Sequence, residues 1–215
     1  MYDENPISGY QTIREEVFSS IVHGIGVFMA IAGMVVLIAK AVLVHQPIMV
    51  VGYAIYGFGS ISLYLSSTLF HSLTHEKAKT ILSIFDQSSI YLLIAGTYTP
   101  ITFAMRNALG WTIFGIIWAL TIIGIVIQAL TKGKSSHVTN SIYVAMGWLF
   151  LGFLYWMLKT LPTSLFVWLA IGGASYSLGV VFYAWKKLPY HHPIWHIFVL
   201  GGTICHFFGL LKLVG

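Results

Sequence analysis

Seven apolar runs constrain this chain more than any other feature of its sequence. A helix needs about 20 predominantly apolar residues to cross a hydrocarbon core about 30 Å thick. The seven runs extend approximately from Val17 to Leu43, Pro47 to Phe70, Ile81 to Met105, Leu109 to Leu130, Val138 to Leu158, Leu165 to Trp185 and Pro193 to Val214. The loops between them are short, so successive helices are antiparallel neighbours in one domain. Charged residues make up 8% of the 215 and apolar ones 58%, against roughly 25% charged in soluble domains. The sequence therefore predicts an all-α integral membrane protein. Its domain is a seven-transmembrane helix bundle over residues 17–215, preceded by a cytoplasmic N-terminal segment, residues 1–16.

Lys and Arg divide unevenly between alternate loops, which sets the orientation. With the N-terminus in the cytoplasm, Arg14, Lys77, Lys79, Lys132, Lys134, Lys186 and Lys187 lie inside, and Lys40, Arg106, Lys159 and Lys212 lie outside. An odd number of spans then puts the C-terminus, Gly215, outside. The formal charge of +5 does not point to nucleic acid, because the basic residues sit in short loops between apolar runs. Cys205 is the single cysteine, so no intrachain disulfide is expected. Asp3, Glu4, Glu15 and Glu16 precede the first run without a short cationic region, and a cleavable signal peptide is not expected.

The ionisable and polar residues converge in depth. His192 and His196 are four apart, hence one turn above the other on one helical face, which is how a helix offers two imidazoles to one metal ion. His71 closes the second run, with Ser67 on the same face, and Asp86 lies about 7 Å into the third at 1.5 Å per residue. His23 lies about one and a half turns into the first run. All approach the membrane from the cytoplasmic side. Asp86 is the costliest of them to bury in hydrocarbon, and it lies where the histidines meet. His206, ten residues beyond His196 and about 15 Å further along its helix, cannot share the site. Spacing alone leaves the histidine pair open as metal ligands or as interfacial residues flanking a helix start at Pro193. Asp86 is likewise open as a catalytic group or as a hydrogen-bonding hub. Three imidazoles and an open position suit zinc chemistry, although iron, copper or nickel take the same donors.

Glu16-x2-Ser19-x3-His23, Ser67-x3-His71, Asp86 and His192-x3-His196 occur in that order, with Gly96-Thr97-Tyr98-Thr99-Pro100 beyond Asp86. Together they resemble the hemolysin III family of bacterial membrane proteins, related to the progestin and adiponectin receptor proteins and, more distantly, to alkaline ceramidases. The resemblance runs from Glu15 to the last span. Ser19 departs from it, standing where the family pattern usually carries Asn, so the bracing amide is missing there. The resemblance implies zinc held by His71, His192 and His196, with Asp86 and Ser67 as catalytic residues beside the water that the ion activates. Glu16, Ser19 and His23 are expected to brace the site from behind. A multi-pass place in the bacterial inner membrane is implied as well.

A site opening within the membrane near its cytoplasmic face suits a membrane lipid as substrate, specifically an amide or ester of a long acyl chain. The expected function is therefore an intramembrane metal-dependent lipid hydrolase, ceramidase-like, acting in membrane lipid homeostasis. The alternative is a non-enzymatic membrane regulator, or a cytolytic hemolysin-type protein, with a structural zinc site. A pore would line the whole bilayer with polar residues, whereas the ionisable ones here gather at one end. No nucleic-acid partner is expected, and the sequence does not set the oligomeric state.

Overall fold

The structure, a computed structural model, describes residues 11–134 and 137–214. The expectations for residues 1–10, with Asp3 and Glu4, and for Gly215 lie outside the described residues. Among the described residues eight helical segments follow one another: α1 Ile13–Leu43, α2 Pro47–Ser72, α3 Glu76–Met105, α4 Ala108–Leu130, α5 His137–Trp148, α6 Phe150–Leu158, α7 Thr163–Ala184 and α8 His191–Leu210. Local chemistry fixes their ends. Thr12 opens α1 by accepting from the Glu15 N–H at 3.3 Å and donating its own N–H back to Glu15 Oε2 at 2.9 Å, a capping box that satisfies two free donors. Pro47 occupies the first turn of α2, where its missing N–H costs nothing. Asn107 caps α4 by accepting from the Gly110 N–H at 2.9 Å.

Several helices begin earlier than the apolar runs imply. α1 starts at Ile13 rather than Val17, α3 at Glu76 rather than Ile81, and α8 at His191 rather than Pro193. In each case polar residues extend the helix past the apolar stretch, so Asp86 lies ten residues, about 15 Å, into α3 instead of about 7 Å. The fifth run is divided at Leu149 into α5 and α6. The Tyr98 hydroxyl bridges that division, accepting from the Phe150 N–H at 2.9 Å and donating to the Met146 carbonyl at 3.0 Å.

Among the described residues six runs, α1, α2, α4, α5 with α6, α7 and α8, are long and apolar enough to cross a membrane. α3 is long, at 30 residues, but is not among them. Its composition has a packing reason. α3 lies against α2, α4, α5 and α8, and every residue from 95 to 103 is buried. A helix enclosed by protein needs no apolar outer face, and α3 accordingly carries Asp86, Ser88, Ser89, Thr97, Thr99 and Thr102 in buried positions.

Close backbone contact sets α2 against α3. A Cβ on Gly59 would lie 2.5 Å from the Leu92 carbonyl oxygen, and one on Gly96 would lie 3.1 Å from that of Ile55, the small-residue packing expected between membrane helices. Tyrosine hydroxyls join α2 to α8: Tyr53 donates to the Leu210 carbonyl at 2.8 Å and Tyr64 to Thr203 Oγ1 at 2.7 Å. Lys40 Nζ donates to the Leu211 carbonyl at 2.8 Å, and Arg106 donates to Gln46 Oε1 at 3.0 Å. These contacts tie the loops at the end of the bundle opposite His71.

Candidate metal centre

Two helix ends deliver the three histidines. His71 is the next-to-last residue of α2, while His192 and His196 occupy the first turns of α8. The start of α8 is clamped to that of α1, because Glu15 Oε1 accepts from the Tyr190 N–H at 2.9 Å. Tyr190 itself takes a left-handed conformation, φ 57°, which turns the chain into α8. As a result His71, His192 and His196 each present one ring nitrogen within 4.8 Å of the others. His71 and His196 are buried, at 4% and 0% exposure.

The remaining ring nitrogens are held from behind. His71 Nδ1 lies 2.6 Å from Glu16 Oε2, and Glu16 Oε1 accepts from Lys79 Nζ at 2.5 Å. His196 Nδ1 lies 2.7 Å from His23 Nε2. A carboxylate on Nδ1 holds the His71 proton there and leaves Nε2 as a lone pair. His71 Nε2 and His196 Nε2 face each other at 3.2 Å. Two nitrogens each 2.0–2.1 Å from a tetrahedral zinc ion would lie about 3.3 Å apart. His192 Nε2, the third donor, is buried without a hydrogen-bond partner. An orphaned ring nitrogen beside two others at ligand spacing fits a metal ion better than it fits a self-contained hydrogen-bond network.

Asp86 is buried on α3, with His71, Glu16 and the Ser67 hydroxyl as its neighbours. Ser67 Oγ is nevertheless buried without a hydrogen-bond partner, and so is Ser19 Oγ. The structure thus joins Glu16 and His23 directly to the histidines and sets Asp86 and Ser67 beside them. Ser19 is buried on the same face of α1, but its hydroxyl bonds to none of them. Asp86 and His23 also line a cavity of about 120 Å³. Its walls are drawn mainly from α3, α5, α7 and α8, with His23, Leu63 and Phe150 from α1, α2 and α6, and are mostly apolar, including Leu93, Ile94, Trp195 and Val199.

In the sequence Lys79 stands among the loop charges, and no motif there marks its place in the site. Lys79 belongs to α3 and is buried at 9% exposure. Its position seven residues before Asp86, two turns along the same face, is the signal that would have found it.

Residues 11–207 match the family described as Haemolysin-III related. The chain is 43% identical over 201 residues to the Hemolysin-3 homolog of Bacillus subtilis (strain 168), covering 93% of this chain and 94% of that one. To Hemolysin-3 of Bacillus cereus it is 41% identical over 205 residues, covering 95% and 94%. To the human monocyte to macrophage differentiation factor it is 30% identical over 170 residues, covering 74% and 68%.

Proposed function

We propose that this chain, which belongs to the haemolysin-III related family, uses its three-histidine centre to hold zinc and to hydrolyse a lipid amide or ester within the membrane. The observation that carries this reading is the buried trio itself, two Nε2 atoms 3.2 Å apart beside the orphaned Nε2 of His192. His71, His192 and His196 would hold the ion. When bound, zinc supplies a Lewis acid and an acidified water molecule.

The chain's own groups do the rest. Glu16 and His23 keep the His71 and His196 rings oriented, so that the ligand nitrogens stay unprotonated. Asp86 stands where it would accept a proton at its carboxylate, and the unpaired Ser67 hydroxyl would donate to an oxyanion. The cavity would take the acyl chain. Asp86, Ile90, Leu93, Ile94, Thr97 and Ile101 of α3 all line it, a stripe of fifteen residue steps, about 22 Å at 1.5 Å per residue. Apolar walls of that length seat a long hydrocarbon and keep bulk water from the reacting groups.

In this reading the bundle crosses the bacterial inner membrane seven times, α3 crossing along with the six apolar runs, with the N-terminus and the histidines on the cytoplasmic side. Such a protein would act on membrane lipid composition.

Protein purified without chelators is expected to carry about one zinc per chain, lost in His71→Ala, His192→Ala and His196→Ala. The zinc-loaded protein is expected to turn over a long-chain acyl amide or ester, and Asp86→Asn to abolish turnover. Folded wild-type protein free of metal would overturn the hydrolase reading. Zinc without turnover of either lipid class would leave the ion a structural role.

A further inference from the structure

The imidazole of His23 touches the histidine trio through His196 and also lines the cavity. It is 1% exposed. Its ring meets that of His196 edge-on with centroids 3.8 Å apart and that of Tyr64 at 5.1 Å. The direction of its bond to His196 follows from the trio. If His196 offers Nε2 to the ion, its proton sits on Nδ1 and is donated to His23 Nε2. A neutral His23 then carries its own proton on Nδ1. That nitrogen is buried and has no hydrogen-bond partner, and buried donors are as a rule satisfied by protein, water or ligand. His23 shares the cavity wall with Asp86.

We propose that the Nδ1–H of His23 donates a hydrogen bond to an oxygen of the acyl group bound at the metal centre. His23 is then a substrate-binding residue as well as the brace of His196. The inference rests on the zinc and acyl-chain reading above and assigns one contact within it. The expected ligand is a carboxylate or carbonyl oxygen at the end of a long hydrocarbon, because the cavity at His23 is lined mainly by aliphatic and aromatic side chains.

The test titrates palmitate into the zinc-loaded full chain in detergent and follows quenching of intrinsic tryptophan fluorescence, since Trp148 and Trp195 line the cavity. His23→Gln sets an amide oxygen near the position of Nε2, able to accept from His196, but places no donor at the position of Nδ1. It is expected to keep its zinc and to bind palmitate about tenfold more weakly, the scale of one hydrogen bond to a charged group. His23→Asn restores a donor near Nδ1 and drops the brace. With zinc in excess it is expected to bind palmitate within about twofold of wild type.

Wild-type affinity in a zinc-loaded His23→Gln protein would overturn the proposal. So would loss of zinc and palmitate together, since His23 would then act only through His196. If His23→Gln does not fold, the Asn variant decides, a tenfold loss there being the overturning result. Wild-type protein that holds zinc but does not bind palmitate would sink the acyl reading itself. Wild-type protein that holds no zinc would sink the metal centre, and either result removes the proposal with it.

Discussion

Glu16 shows how one side chain couples the metal centre to the rest of the bundle. Its two oxygens serve different partners, His71 Nδ1 at 2.6 Å and Lys79 Nζ at 2.5 Å. Glu16→Gln keeps the shape but removes the charge, which leaves a buried lysine without its counterion and His71 without a carboxylate. Zinc affinity is expected to fall about 10–100-fold, read by competition with a chromophoric chelator. The His192/His196 pair was legible in the sequence because helix geometry alone puts residues four apart on one face. The pairing of Glu16 with Lys79 was not, because it joins α1 to α3 and exists only once those helices have packed. The unpaired hydroxyl of Ser19 was equally invisible, since nothing in the sequence says what a buried side chain fails to reach.

At the scale of helices, the apolar runs located nearly every element, and the errors share one cause. Hydropathy marks where a helix meets lipid, whereas the helix continues as long as its backbone bonds are satisfied. Glu76 to Thr80 and the Glu15–Glu16 pair therefore belong to α3 and α1 although they interrupt the apolar pattern. The division at Leu149 left no mark either, as it carries no proline and depends on the Tyr98 hydroxyl reaching from another helix. Close packing between α7 and α8 gives a prediction here. A Cβ on Gly172 would lie 2.4 Å from His206 Cδ2 and 2.9 Å from the Gly202 carbonyl oxygen, and the backbone oxygen has no room to yield. Gly172→Ala is expected to destabilise the protein by about 1–3 kcal/mol, seen as a lower Tm in detergent. Gly147→Ala is the control, because nothing lies within 4 Å of a Cβ there, and its Tm is expected to hold or rise slightly.

For the molecule as a whole, the family and the six apolar helices make this a multi-pass membrane protein. Its orientation is open to direct test. Lys79 is an ion-paired residue of α3 rather than a free loop charge, but Lys77, Lys132, Lys134, Lys186 and Lys187 still fall on the side of Arg14 in the proposed arrangement. Without Lys79 that arrangement sets six basic residues inside against four outside. A reporter active only outside the cytoplasm, fused after Gly215, is expected to be active, and an inactive but stably expressed fusion would refute the arrangement. The enclosed, polar character of α3 bears on how such a bundle is made. On translocon insertion scales an aspartate at the middle of a helix costs about 2.5–3.5 kcal/mol, and α3 adds several buried hydroxyls to Asp86. Left alone in lipid, α3 would be poorly retained. Its neighbours in the chain, α2 and α4, are also helices it packs against, so synthesis delivers a partner before it and another immediately after. The nascent bundle, rather than the bilayer, is the solvent into which this helix partitions.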